Sequence, residues 1–192
     1  MAKEALDTDL LDRAIILAVK SHAGTERRGK GFPYIVHPLE AMAIVATMTS
    51  DQEMLAAAVL HDTVEDTDVT LEEIRAEFGD RVATLVAYES EEKIDEMSAE
   101  SSWHARKQAT LDRLAAAPHD AKVVALGDKL SNMRAIARDY VEMGDALWSR
   151  FHTSDPREHA WHYRGLAESL CELRDTAPYR EFETLIEQVF LN

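Results

Sequence analysis

An alanine-rich apolar run, Met54 to Leu60, ends in His61-Asp62-Thr63-Val64-Glu65-Asp66, which holds one histidine and three carboxylates. Charged side chains are seldom buried unless they are paired or bind a metal. An apolar helix that ends in an adjacent imidazole and carboxylate therefore implies a cationic occupant. His61 and Asp62 supply one nitrogen and one oxygen, too few donors for a complete site. His37, in Tyr34-Ile35-Val36-His37-Pro38, and Asp128, in Leu126-Gly127-Asp128-Lys129-Leu130, are the candidates for the missing donors. Two imidazoles and two carboxylates suit one borderline divalent ion per chain, such as Mn²⁺ or Fe²⁺, with positions left for water. The lone cysteine, Cys171, excludes a thiolate zinc site. Such an ion makes water a nucleophile near neutral pH and polarises a phosphoryl oxygen.

Glu65 and Asp66 follow Asp62 by three and four residues. One further helical turn returns them to the Asp62 side, where they can act as general base or orient a water. The segment Arg27-Arg28-Gly29-Lys30 is the main basic cluster and leads directly to His37. Its glycines allow close backbone approach to a phosphate, and arginine forks onto phosphate or stacks on a base. Asn132 lies four residues beyond Asp128 on the same helix face, within reach of a sugar hydroxyl or a phosphate. His22, His104, His119, His152, His159 and His162 have no ligand-like context and are expected at the surface or as satisfied core groups. Trp161 and Tyr163 cannot both face one way, and core is the expectation for either.

The elements that must position these groups read as helices throughout, so the fold class is all-α, a compact helical domain over residues 1–192. The first helix begins near Asp7 or Thr8 and stops at Gly24. The next carries Pro38 just inside its start, with His37 at the cap position. Ser50-Asp51-Gln52-Glu53 reads as a capping box opening the helix that delivers His61, and Thr70-Leu71-Glu72-Glu73 as a second box whose helix Gly79 closes. Arg81 to Ala87 is helical, residues 89–101 form an acidic loop, and Trp103 to Ala116 is helical again. Ala121 to about Asp139 bears Asp128 at a pocket edge, off the centre of its apolar stripe. Helices from Asp155 to about Arg174 and from Pro178 to Phe190 complete the chain.

The 192 residues carry 46% hydrophobic and 30% charged side chains, ordinary for a globular protein with one core. A net charge of −15 argues against nucleic acid as a partner, though not against a small anion met by local positive charge. No apolar run approaches the ~20 residues that span a bilayer, and the charged N-terminus shows no signal peptide. One cysteine, expected to pack on an apolar helical face, is consistent with the cytoplasm.

Taken together, these segments resemble the HD hydrolase domain of the RelA/SpoT family, in particular the stand-alone small alarmone hydrolases. Arg27-Arg28 with Gly31-Phe32-Pro33-Tyr34-Ile35-Val36-His37-Pro38 is similar to the family's basic, glycine, PYI-x-HP motif. Leu60 to Thr67 resembles LHD-x-VEDT, Leu71 to Val82 resembles T-x-E-x-I-x-x-x-FG, and Asp128 to Arg134 resembles D-[KR]-L-x-N-[ML]-R. The core motifs run from residue 22 to 137, with further helices over 138–192. The resemblance implies Mn²⁺ held by His37, His61, Asp62 and Asp128, with Glu65 and Asp66 catalytic. It implies Arg27 and Arg28 on base and phosphate, Asn132 near the ribose, and no synthetase activity. The implied reaction removes the 3′-pyrophosphate from (p)ppGpp. The alternatives are the 2′-phosphate of NADPH or another nucleotide and, in a different class, a non-catalytic nucleotide sensor. One departure is the acidic run from Ala87 to Lys93, which repels a highly charged nucleotide unless Arg27, Arg28 and Lys93 offset it.

Overall fold

The computed structural model describes residues 7–27, 29–89 and 99–190, with side chains in the last range from residue 103. Arg28, Lys93 and most of the expected acidic loop lie outside the described residues. The order is α1 (Asp9–Ser21), α2 (Val36–Val45), α3 (Gln52–Leu60), α4 (Thr63–Asp66), α5 (Leu71–Phe78), α6 (Asp80–Glu89), α7 (Ala99–Ala115), α8 (His119–Met143), α9 (Pro156–Ser169) and α10 (Ala177–Phe190). Short 3₁₀ turns at Gly144–Arg150 and Cys171–Leu173 flank α9. The described residues form no strand beyond one isolated antiparallel bridge, Glu26 to Pro33, so the all-α expectation holds.

α3 is the central rod. Every residue from Met54 to Leu60 is buried, and α1, α2, α6 and α8 surround it. A helix apolar on all sides is stable only when enclosed on all sides, which explains why an alanine-rich run precedes His61. Its start differs from the expected box: Asp51, not Ser50, is the cap, and its carboxylate accepts from the amides of Glu53 and Met54. The box at Thr70 and Glu73 forms as expected, and Gly79 ends α5 with φ of +91°, a conformation costly for other residues.

α2 and α8 make the most extensive helix contact among the described residues. Gly127 permits it. A β-carbon there would stand 2.6 Å from Cγ2 of Val45 and 2.7 Å from the carbonyl oxygen of Ala41. The missing side chain lets the two backbones approach closely, one residue before Asp128 and one turn after His37. The first turn of α2 includes Val36 and His37, so His37 lies inside the helix rather than at its cap. α8 is buried on all sides from Ala121 to Asp128, because α2, α3 and α10 enclose it. Asp128 therefore sits deeper than a stripe edge. Cys171 is exposed at the 3₁₀ turn, not packed on a helical face, because α9 ends at Ser169 rather than near Arg174.

Candidate metal centre and its cavity

His37 from α2, His61 after α3 and Asp128 from α8 converge, with donor atoms all within 4.8 Å of one another. The two Nε2 atoms are 3.2 Å apart. Oδ1 of Asp128 lies 3.0 Å from Nε2 of His37 and 3.4 Å from that of His61. Asp62 reaches the same imidazoles, with Oδ2 at 3.4 Å from His37 and 3.0 Å from His61. Donors bound at about 2.0–2.2 Å to one ion stand roughly 2.8–3.6 Å from their neighbours, so these separations suit a small divalent cation.

The imidazole tautomers are set by the partners on the far side of each ring. Nδ1 of His61 donates to the carbonyl of Ala58 at 2.8 Å. Nδ1 of His37 is 2.8 Å from Oγ of Ser131, and that hydroxyl donates to Glu40 at 2.8 Å, so it accepts from the ring. Both Nε2 atoms then face one point, where each can offer its lone pair to a bound ion. Two lone pairs 3.2 Å apart repel unless a cation lies between them, and the buried carboxylates need positive charge for the same reason. The residues present fit a divalent ion.

The carboxylates draw positive charge to this point, as a bound ion or as a proton that competes with it. Burial alone would lower the affinity of His61 for a proton, but Asp62 and Asp128 outweigh it and hold the imidazole well above its ordinary pKa. Burial likewise works against ionised Asp62 and Asp128. The imidazoles for both, with Lys129 as the leading attractive charge for Asp128, hold these carboxyls well below their usual range. The carboxylates are further oriented by neutral and cationic donors. The Tyr34 hydroxyl donates to Oδ2 of Asp62 at 2.6 Å, Asn132 donates to Oδ1 of Asp128 at 2.6 Å, and Lys129 to its Oδ2 at 2.5 Å. Burial, then Asp62 and Asp66, push the Tyr34 phenol far above its ordinary value, so it remains a donor.

Glu65 and Asp66 lie in α4, where the chain makes the further turn that the spacing requires. His61 and Asp62 keep right-handed helical angles, and the amide of Asp66 donates to the carbonyl of Asp62 at 2.9 Å. Both carboxylates are exposed, and Asp66 lies close enough to the Tyr34 hydroxyl to act on it alongside Asp62.

A cavity of about 630 Å³ adjoins the cluster through Tyr34, Lys129 and Asn132. Among the described residues its wall carries five cations, Arg27, Lys30, Lys107, Lys129 and Arg150, against one carboxylate, Asp139. An acidic protein thus concentrates positive charge around one hollow, which attracts an anion at short range despite the overall repulsion. Arg27 stacks over the Tyr34 ring at 5.1 Å and donates to Oδ1 of Asn132, so two sequence candidates meet there. Glu89, the described start of the acidic run, is neutralised by Lys129 at 3.0 Å.

Sequence reasoning missed Tyr34, Glu40, Ser131, Lys107 and Arg150 as parts of this site. Tyr34 stood in a quoted motif and Glu40 three residues from His37, whereas Lys107 and Arg150 carried no local signal. It also took the buried histidines as satisfied. Among the described residues, both ring nitrogens of His22 and Nδ1 of His162 have no hydrogen-bond partner, and His162 lines the cavity. Tyr163 is buried and reaches the cavity wall, while Trp161 stacks on His104 at 4.0 Å.

A family model described as HD domain matches residues 14–151. The chain is 30% identical over 215 residues to a protein named GTP pyrophosphokinase rsh from Brucella ovis, covering 98% of this chain and 28% of that one. It is 39% identical over 128 residues to a guanosine-3′,5′-bis(diphosphate) 3′-pyrophosphohydrolase from Aquifex aeolicus, covering 66% of this chain and 18% of that one. The chain therefore spans less than a third of the length of either relative. The fold is similar to the solved structure of a metazoan ortholog of SpoT, with a TM-score of 0.74, 22% identity, and coverage of 96% of this chain and 97% of that one. No helix among the described residues is long and apolar enough to cross a membrane. The matched span contains His37, His61, Asp62 and Asp128, and the chain belongs to the HD domain family.

Proposed function

We propose that this protein is a metal-dependent nucleotide phosphohydrolase and that its substrate is guanosine 3′,5′-bis(diphosphate), from which it removes the 3′-pyrophosphate. One observation carries the reading: two imidazole Nε2 atoms and two carboxylates converge beside a cavity lined, among the described residues, by five cations. The named activity of the Aquifex relative supports the choice of substrate.

In this reading His37, His61, Asp62 and Asp128 hold one divalent ion, Mn²⁺ by the mixed nitrogen and oxygen donor set. When bound, the ion supplies Lewis acidity to a phosphoryl oxygen and to water. Glu65 or Asp66 accepts the proton of the attacking water at a carboxylate oxygen. Water oxygen bonds to the phosphorus next to the ribose, the bond from that phosphorus to the 3′ oxygen breaks, and the 3′ oxygen leaves with a proton. Arg27, held by Tyr34 and Asn132, and Arg28 position the phosphates, while Asn132 also orients Asp128. Residues 1–192 act as one domain.

The test is product release from ppGpp, pppGpp, NADPH and ATP by Mn²⁺-loaded protein. Pyrophosphate from ppGpp is expected. Orthophosphate from NADPH alone would reassign the substrate within the same chemistry, and tight binding without turnover would make the protein a sensor.

A further inference from the structure

Asp128, Asn132, Ala135 and Asp139 follow one another at four-, three- and four-residue steps along one face of α8, and the last three line the cavity. Eleven residues at a rise of about 1.5 Å place Asp139 roughly 16 Å beyond Asp128. That is comparable to the reach of a nucleoside whose 3′-phosphoryl group is held at the metal cluster. Asp139 is anomalous there: it is the one carboxylate among the described residues of a wall that otherwise offers cations. A phosphate-bearing end of a ligand gains nothing from a carboxylate, whereas a base edge with N–H donors does.

Its contacts suit that task. Lys30 and Arg150 both contact Oδ2, Arg150 at 3.5 Å, and Oδ1 takes no cationic contact among the described residues. Lys30 is held in turn by the carbonyl of Ala135 at 3.4 Å. The carboxylate is thus fixed in place through Oδ2, and its side chain is 18% exposed, enough to be reached from the cavity.

We propose that Asp139 is the residue that selects the base, accepting from N1–H and the 2-amino group of a guanine. Adenine presents an acceptor at its N1 and is repelled. Hypoxanthine keeps N1–H and lacks the amino group. The proposal rests on the nucleotide-phosphohydrolase reading above, but base preference is measurable without turnover.

The experiment is calorimetric binding of GDP, IDP and ADP to Mn²⁺-loaded wild type and Asp139→Asn, with ppGpp turnover measured alongside. A hydrogen bond to a charged group corresponds to about 10- to 150-fold in affinity. Wild type should prefer GDP to IDP by about 10-fold or more, and GDP to ADP by a larger factor. The asparagine amide turns one acceptor into a donor, so the GDP to IDP ratio should fall to within about threefold. The ratio cancels any general gain in diphosphate affinity from releasing Lys30 and Arg150. Equal or undetectable wild-type affinities for the three nucleotides overturn the proposal. So does an Asp139→Asn ratio equal to that of wild type, which is the outcome if Asp139 serves only to anchor Lys30. Loss of ppGpp turnover in wild type with the base preference intact would instead defeat the hydrolase reading and leave the base-selecting role standing.

Discussion

Gly127→Ala tests how the site is assembled, because helix propensity and packing predict opposite signs. In an exposed helix interior the change stabilises by about 1 kcal/mol. Here the new β-carbon would meet Cγ2 of Val45 at 2.6 Å and the carbonyl oxygen of Ala41 at 2.7 Å, where ordinary contact begins near 3.4 Å. A side-chain clash can be relieved by a rotamer change, but a carbonyl in the middle of α2 can move only with its helix. α2 and α8 must separate by about 0.7 Å. Overpacking of this kind costs about 1–3 kcal/mol, and the backbone contact puts the cost at or above the upper end. Net of propensity, about 2 kcal/mol is lost, which lowers Tm by about 4–8 °C in a domain of this size. The same separation pulls Oδ1 of Asp128 away from Nε2 of His37, now 3.0 Å apart, so Mn²⁺ affinity should fall as well. Thermal denaturation with and without Mn²⁺, and metal titration of the folded variant, read both effects. Adding Val45→Ala should restore only part of the stability, because the Ala41 carbonyl remains. A Gly127→Ala variant as stable as wild type, with unchanged metal affinity, would refute the close approach of α2 and α8 as the device that brings His37 to Asp128.

Asp62→Ala should lose the ion, since one of four converging donors and a buried charge are removed, and full occupancy by elemental analysis would contradict the ligand assignment. Glu65→Gln should retain the metal while kcat falls by about 10²- to 10⁴-fold, the range for a lost general base; a near-wild-type rate removes Glu65 from the chemistry. Arg27→Ala should raise KM about 10- to 150-fold with a smaller change in kcat, because a phosphate contact made in ground and transition states alike affects binding. Unchanged KM for every nucleotide turned over would exclude the clamp. His162 gives a pH test. Burial, with smaller contributions from Lys107 and Lys129, pushes its pKa down to about 3, so the folded protein holds it neutral and the unfolded chain binds the proton. Its contribution is complete above the ordinary value of 6.5 and is lost as pH falls towards about 3, amounting to about 2 kcal/mol by pH 5. His162→Gln should therefore lose less stability than wild type between pH 7 and pH 5, and parallel Tm profiles for the two would contradict this account.

Local pattern alone determined the fold class and most of the helical elements. The apolar run before His61, the further helical turn that carries Glu65 and Asp66, and the Thr70 box each follow from residues within a few positions of one another. Helical periodicity and capping chemistry act over that same range, which is why the elements were legible. Their ends were less so. α3 is capped by Asp51 rather than Ser50, α2 begins at Val36, before His37, and α9 breaks at Ser169. Only the tertiary structure decided what surrounds the candidate ion and its ligand. Ser131 lies 94 residues from His37 and yet sets its tautomer. Arg27 meets Asn132 across 105 residues. The cationic wall draws Lys30, Lys107 and Arg150 from three separate elements, and Asp139 is distinctive only because it stands among them. Such groupings depend on how closely helices approach, and that distance is governed by volumes at the contact, such as the absent side chain of Gly127, which no periodicity along a single helix encodes.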